Sequence, residues 1–355
     1  MPEMMKAAVY EGHGRVFVRD VPVPGIGPGE LLVRVEACGI CPTDLKKIEY
    51  DLLPPPRIFG HETAGVVAAV GPGITRFQPG DRVIAFHHIP CRDCFYCRRK
   101  LYAQCAVYKK VGITAGYEPA GGGFAQYVRV MDWIVQDGVE KIPAHVSFTA
   151  ASFVEPINTC LKAIVEMNIQ SGDAVLIQGQ GSIGLMFTML AARLGARIVA
   201  TDVFASRRAL ALRCGAAEAL DPRVAFVPSM MKELTEGRGA DLVIVAAPVR
   251  GIVEEAVRAS RPGARILLFA QTSETERIDL SGADICKEER TLFGVYSASV
   301  DLQAESARLV FSGELPVEQL VSHVLPLDEI EHGFRMALHP DEQSLKIVVQ
   351  PQRFS

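Results

Sequence analysis

One stretch constrains this chain more than any other. The apolar run AVLIQ, residues 174–178, breaks into the glycine-rich GQGSIG and passes directly into IGLMFTMLAARLG. A strand, a tight turn and a helix in immediate succession imply a crossover unit of a parallel sheet. The three glycines serve different physical ends. Gly179 permits the tight turn, Gly181 lets a pyrophosphate approach the backbone, and Gly184 lets helix and strand pack closely. Ile183 sits between the last two at the helix opening, where exposed N–H groups and the helix dipole face the phosphates. The pattern repeats downstream, with strands expected at 197–201, 241–246, 265–270 and 291–295 and helices at 207–213 and 251–260. With 174–178 these make five, one short of the six strands that make two mononucleotide-binding halves, the arrangement expected here. Asp202 ends the strand IVATD, 18 residues after Gly184. That interval suits a carboxylate that accepts the adenosine ribose hydroxyls, so NAD is the expected cofactor. Arg207 and Arg208 just downstream keep NADP open.

The first half has another texture. Short β-branched runs at 31–35, 64–70, 81–85 and 125–130, punctuated by Gly and Pro, read as strands of an antiparallel or mixed assembly. With 355 residues the chain has length for about two domains. Residues 299–355 open on a helical pattern at 304–311 and close on the apolar run 347–349, too little for a third domain, so they are expected to pack back onto the first. Lys plus Arg number 37 and Asp plus Glu 41, a net charge of -4 that gives no general reason to bind nucleic acid or an anionic membrane. The start MPEMMKAAVY lacks the pattern of a secretory signal, and no apolar window reaches the roughly 20 residues of a membrane span. A cytoplasmic location is the expectation, and nine cysteines there suggest metal rather than disulfides.

Four of them, Cys91, Cys94, Cys97 and Cys105, follow C-x2-C-x2-C-x7-C. Four thiolates on one compact loop match a closed tetrahedral zinc with no open coordination position. An iron–sulfur cluster is the rival, but the spacing differs from the ferredoxin patterns. Cys41 in CGICPTD, His61 in FGHETAG and Glu155 in VEPINT lie far apart, and spacing alone cannot join them. Each has a plain reading: a core thiol, a turn histidine, a helix-initiating acid. Cys38 and Cys41 also form a C-x-x-C without the strand-to-helix context of a redox pair.

Taken together, CGICPTD, FGHETAGVV, GDRV, the four-cysteine loop, GGGFAQYV, VEPINT, GQGSIG and the closing KIVV resemble the zinc-dependent medium-chain dehydrogenase/reductase family, over essentially the whole length. The resemblance implies a GroES-like mixed β catalytic domain, residues 1–157 with 298–355 returning to it, and a Rossmann doubly wound parallel-sheet NAD-binding domain, 158–297. It implies two zinc ions per chain. Cys41, His61 and Glu155 would hold the catalytic zinc, with Glu standing where the alcohol branch has Cys, as in the polyol and threonine branches. Asp44 and Glu62 match acids near that metal, Glu62 as an exchangeable ligand. Thr43 matches the hydroxyl that relays the substrate proton, and Thr159 the family's contact beside the nicotinamide. The three ligands offset the ion's charge and leave one position for a substrate oxygen, whose proton then leaves more readily.

Some residues depart from the family pattern. Lys46 stands where many relatives have a relay histidine. His87 and His88 fall where the family lines its substrate pocket, and two pocket histidines suit hydroxyl-rich or zwitterionic substrates. The tryptophan-containing stretch typical of threonine dehydrogenases is replaced by LKKIEYDLLPPP. The resulting expectation is an NAD- and zinc-dependent oxidoreductase of a secondary alcohol, a polyol or sugar-derived alcohol leading, giving a ketone. A threonine-type or simple secondary-alcohol dehydrogenase is the alternative within the class, and a non-catalytic zinc-containing binding protein the alternative outside it. A homo-oligomer, dimer or tetramer, follows from resemblance alone.

Overall fold

The computed structural model describes residues 2–86, 88–110, 121–270 and 277–354. Two compact units divide the chain: Met1–Asn158 together with Ala298–Ser355, and Thr159–Ser297.

The first unit begins with strands β1 (Met4–Gly12), β2 (Arg15–Pro22), β3 (Leu31–Gly39), β4 (Arg57–Ile58), β5 (Glu62–Val70), β6 (Arg82–Ala85), β7 (Tyr127–Val130) and β8 (Val139–Lys141). In β3 the alternation of LLVRVEACG places Leu31, Val33 and Val35 in the core while Arg34 points to solvent. β3 pairs antiparallel with β5 on one side and with β7 on the other. The order continues through β6 to β8, whereas β1 pairs separately with β2 and β4. Tyr10, Phe59, Phe124, Ile134 and the three apolar β3 residues share one core. Burying each such side chain is worth about 1.5–3 kcal/mol relative to exposure.

The second unit carries β9 (Ala174–Gln178), β10 (Arg197–Thr201), β11 (Glu218–Leu220), β12 (Ala240–Val245), β13 (Ser260–Leu268) and β14 (Thr291–Gly294). Every pairing among them is parallel, and the order across the sheet is β11-β10-β9-β12-β13-β14. This is the doubly wound arrangement of two mononucleotide-binding halves. Leu176, Val199, Val243, Val245 and Ile266 form its core. β11, three residues long and only half-buried, is the strand that periodicity leaves unplaced.

The chain then returns to the first unit. β15 (Val321–Pro326) pairs parallel with β16 (Lys346–Gln350), and β16 lies antiparallel to the end of β3 with Val348 opposite Gly39. Among the described residues no helix is long and apolar enough to cross a membrane.

A buried ion pair ties β3 to β7. The Arg129 guanidinium donates through Nε and Nη2 to the two Glu30 oxygens, both at 2.7 Å, and Gly27 N–H donates to the same carboxylate at 2.5 Å. Burial alone would raise the Glu30 carboxyl, but Arg129 and the Gly27 N–H outweigh it and hold it below its ordinary value. A depressed carboxylate stabilises the fold above its unfolded-state pKa and loses that contribution as pH falls through the folded value. Glu30→Gln should therefore lower the thermal midpoint by several degrees at pH 7, with the gap to the native chain closing below about pH 4. Melting curves across pH 3–8 check this.

Candidate zinc and dinucleotide sites

Cys91, Cys94, Cys97 and Cys105 converge although no regular element of any length holds them. Two single-turn helices, Cys97–Arg99 and Tyr102–Gln104, shape the loop, with Arg92 and Lys100 in the left-handed region at φ 62° and 59°. Sulfur separations are 3.9 Å for Cys91–Cys97, 3.5 Å for Cys94–Cys97 and 3.6 Å for Cys91–Cys105. Four sulfurs at about 2.3 Å from one zinc ion stand about 3.8 Å apart, so the set fits that ion and leaves it no further position. Burial pushes the Cys97 thiol up to about 12. It acts in the same sense on Cys105, where N–H donors nevertheless bring the thiol down to about 6.

The second cluster is assembled from strand ends. Cys41 caps the helix Pro42–Glu49 two residues past the end of β3, and Glu62 opens β5 with His61 just before it. Ligand atoms of Cys41, His61 and Glu62 all lie within 4.8 Å of one another. Asp44, fully buried on the first turn of the helix, contacts His61 Nδ1 at 3.0 Å. A carboxylate there selects the tautomer with the proton on Nδ1, which leaves Nε2 as the ligand atom. One thiolate, one imidazole and one carboxylate are the donor set of an open zinc site. Burial works against protonation of His61, yet Asp44 and Cys41 hold its pKa well above the ordinary value; a cation in that place meets the same field.

Glu155 sits in the first turn of the helix Val154–Met167, and its carboxylate is not one of the three clustered ligand atoms. Burial raises its carboxyl to about 7, against the opposing pull of His61. Thr159 follows one turn later on the same helix. Thr43 and Lys46 are half-buried one turn apart on the Pro42–Glu49 helix, and burial lowers the Lys46 ammonium below its usual value, with Cys41 opposing. His88 is buried and stacked on Tyr108, with ring centroids 4.5 Å apart and 15° between planes. Burial, assisted by Lys47 and His61, holds its imidazole well below the ordinary pKa, so it is neutral at pH 7. His87 lies outside the described residues.

Lys346 is the member of this cluster that sequence reasoning missed. It begins β16, is 3 % exposed, ion-pairs with Glu62, and donates from Nζ to the Ile40 carbonyl at 3.0 Å. Gly39 makes the room. A Cβ there would stand 1.9 Å from Glu62 Oε2 and 2.8 Å from Lys346 Cε.

In the second unit, Gly179 adopts φ +92°, a Cβ on Gly184 would stand 1.8 Å from the Gly179 carbonyl oxygen, and a Cβ on Gly181 would meet nothing within 4 Å. Gly181 caps the helix Ser182–Arg193, so open space lies at a helix N-terminus. Beside it a cleft of about 450 Å³ is lined by Gly179, Asp202, Arg207, Arg223 and Arg250 among others. Asp202 accepts from Gln180 N–H at 2.7 Å and Phe204 N–H at 2.8 Å, and Arg207 Nη1 lies 4.0 Å away. Each carboxylate oxygen has a second lone pair free for a ribose hydroxyl. The bare Gly181 and this carboxylate fit a dinucleotide.

A closed four-thiolate set, an open Cys–His–carboxylate set and a dinucleotide-binding sheet in one chain define a zinc-dependent dehydrogenase. Comparisons with known proteins point to the same class. Residues 27–143 match the alcohol dehydrogenase GroES-like domain and 182–311 the zinc-binding dehydrogenase domain. The chain is 29% identical to sorbitol dehydrogenase of Bacillus subtilis (strain 168), over 99% of both chains. It is 32% identical to L-threonine 3-dehydrogenase of Symbiobacterium thermophilum, again over 99% of both. A Sinorhizobium meliloti 1021 protein assigned as a zinc-binding dehydrogenase and solved with NADP is 29% identical, with a TM-score of 0.90 over 99% of this chain and 100% of that one. The chain belongs to the zinc-dependent medium-chain dehydrogenase/reductase family. It is a catalytically competent oxidoreductase of a small alcohol or ketone, with a GroES-like catalytic domain and a Rossmann-like cofactor domain.

Metal analysis of active protein should find two zinc ions per chain. Cys94→Ser should lower the thermal midpoint, whereas His61→Ala should abolish turnover with the midpoint retained to within a few degrees. One zinc or fewer in active protein would contradict the two sites.

Proposed function

We propose that the protein interconverts a secondary alcohol carrying a neighbouring hydroxyl, of the polyol or sugar-derived kind, with its ketone, using NAD. The observation that carries this reading is His88: a buried neutral imidazole in the electrostatic neighbourhood of His61, suited to hydrogen-bond a hydroxyl beside the reacting one. Sorbitol dehydrogenase and, at 27% identity, (R,R)-butanediol dehydrogenase of Neisseria gonorrhoeae among the relatives support it.

When bound, zinc supplies Lewis acidity that eases deprotonation of a hydroxyl, and NAD accepts the hydride. The chain's own residues do the rest. Asp44 holds the His61 ring with Nε2 turned toward the ligand position. Thr43 takes the substrate proton through its hydroxyl, and Lys46, one turn on, replaces the relay histidine as the next polar group. Asp202 accepts the ribose hydroxyls, and the bare Cα of Gly181 admits the pyrophosphate. Cys41, His61 and Glu155 would hold the catalytic zinc, while Lys346 engages Glu62 and would leave it as the exchangeable carboxylate. Cys91, Cys94, Cys97 and Cys105 would hold the structural zinc.

A threonine-type activity is the second reading, favoured by the 32% identity to L-threonine 3-dehydrogenase. The two separate on substrate. A hydrogen bond to the neighbouring hydroxyl that a mono-alcohol cannot make is worth about 0.5–1.5 kcal/mol, so 2,3-butanediol should exceed 2-butanol in kcat/KM by roughly two- to tenfold. His88→Ala should erode that ratio more than it erodes 2-butanol turnover. Equal efficiencies, or activity confined to L-threonine, would sink the polyol reading.

Cofactor choice has its own test. Asp202→Ser should raise KM for NAD and narrow the gap to NADP, because a carboxylate repels a 2′-phosphate and a hydroxyl does not. A native preference for NADP, with Arg207 as its anchor, would refute the role given to Asp202.

A further inference from the structure

A second, much smaller cavity lies beside Glu155. It measures about 10 Å³, room for about one water molecule, and its polar lining comes from Thr63, Ser152, Glu155 and Gln303. Thr63 and Gln303 are only 5 % and 3 % exposed.

The orientation of the Gln303 amide follows from a chain of obligatory donors. Ser299 N–H, which can only donate, gives its proton to Asn158 Oδ1 at 2.8 Å. Asn158 must then turn Nδ2 the other way, and it donates to the Ser299 carbonyl at 3.0 Å and to Gln303 Oε1 at 3.3 Å. Gln303 is thereby an acceptor through oxygen, with Nε2 left to donate. Among the described residues neither Gln303 Nε2 nor Thr63 Oγ1 has a hydrogen-bonding partner. Buried polar groups of this kind are satisfied by ordered water when the space admits one.

We propose that this cavity is a built site for one resident water, which accepts from Gln303 Nε2, hydrogen-bonds Thr63 Oγ1 and donates to the Glu155 carboxylate. The water extends the directional chain Ser299–Asn158–Gln303 to Glu155 and presents that carboxylate with an O–H it can only accept. Gln303 and Thr63 are thus positioning residues that hold Glu155 in one orientation. The site itself stands on the cavity and its lining; its effect on metal rests on the reading of Glu155 as a zinc ligand.

The test combines a crystal structure of the zinc-loaded full chain, at a resolution that shows ordered water, with the rate of zinc release to a chelator. Density for one water within hydrogen-bond distance of Gln303 Nε2, Thr63 Oγ1 and a Glu155 oxygen is expected, and its loss in Gln303→Leu. Zinc should leave the open site roughly tenfold faster in Gln303→Leu and Thr63→Val, and at close to the native rate in Thr63→Ser. An empty cavity in the native crystal, or a water that does not touch Glu155, overturns the proposal. If the water is present but Glu155→Ala releases zinc at the native rate, the ligand reading of Glu155 fails and the water site stands. If Glu155→Ala speeds release while Gln303→Leu loses the water without changing the rate, the positioning role is overturned.

Discussion

An ammonium group deep in a protein interior must lose its proton or find anions, and Lys346 finds them. Burial acts to lower its pKa, but Glu62 and Cys41 hold it above the ordinary lysine value, so the charge persists where water is excluded. The pair it makes with Glu62 depends on the missing side chain at Gly39 and on the Ile40 carbonyl. Three separate strands meet at that point: β3 supplies Gly39, β5 supplies Glu62 and β16 supplies Lys346. Cys41, Asp44 and His61 are grouped around the same charge. A buried pair of this kind adds little net stability against an apolar substitute, yet removing one partner strands the other. What the pair does is join β3, β5 and β16 at the end where Cys41, His61 and Glu62 lie.

The two kinds of site are unequally legible. GQGSIG and the four-cysteine loop are local: every residue that matters lies within a short span, and the turn or the ligand spacing is written in consecutive letters. The parallel sheet is legible for the same reason, except for β11, whose three residues, one exposed and two half-buried, carry no periodic signal. The open metal cluster is different in kind, because Cys41 and His61 belong to different strand ends and only the β3–β5 pairing brings them together. Resemblance supplies their roles; residue chemistry alone does not. Resemblance also puts Asp44 near the metal, but its bond to His61 Nδ1 is a property of the folded helix turn. Lys346 is illegible because KIVV reads as an apolar strand and lysine is ordinarily a surface residue. The amides of Gln180 and Phe204 on Asp202 are equally hidden, since main-chain donors leave no mark in the letters.

Chain order gives the Lys346 contact a last meaning. It bonds a carbonyl 306 positions earlier, and the whole of Thr159–Ser297 is synthesised between the two halves of the contact. Contacts of such sequence separation form late, after the local units have closed. The dinucleotide unit, whose sheet is contiguous in sequence, leaves the ribosome complete before β16 exists. Until β16 arrives, the end of β3 lacks its β16 neighbour and Glu62 lacks Lys346. The four-cysteine loop can take its metal before Thr159–Ser297 has been made, whereas the open site acquires its full charge balance only once β16 has followed that unit, so the two metal sites of one unit mature on either side of the other unit's synthesis.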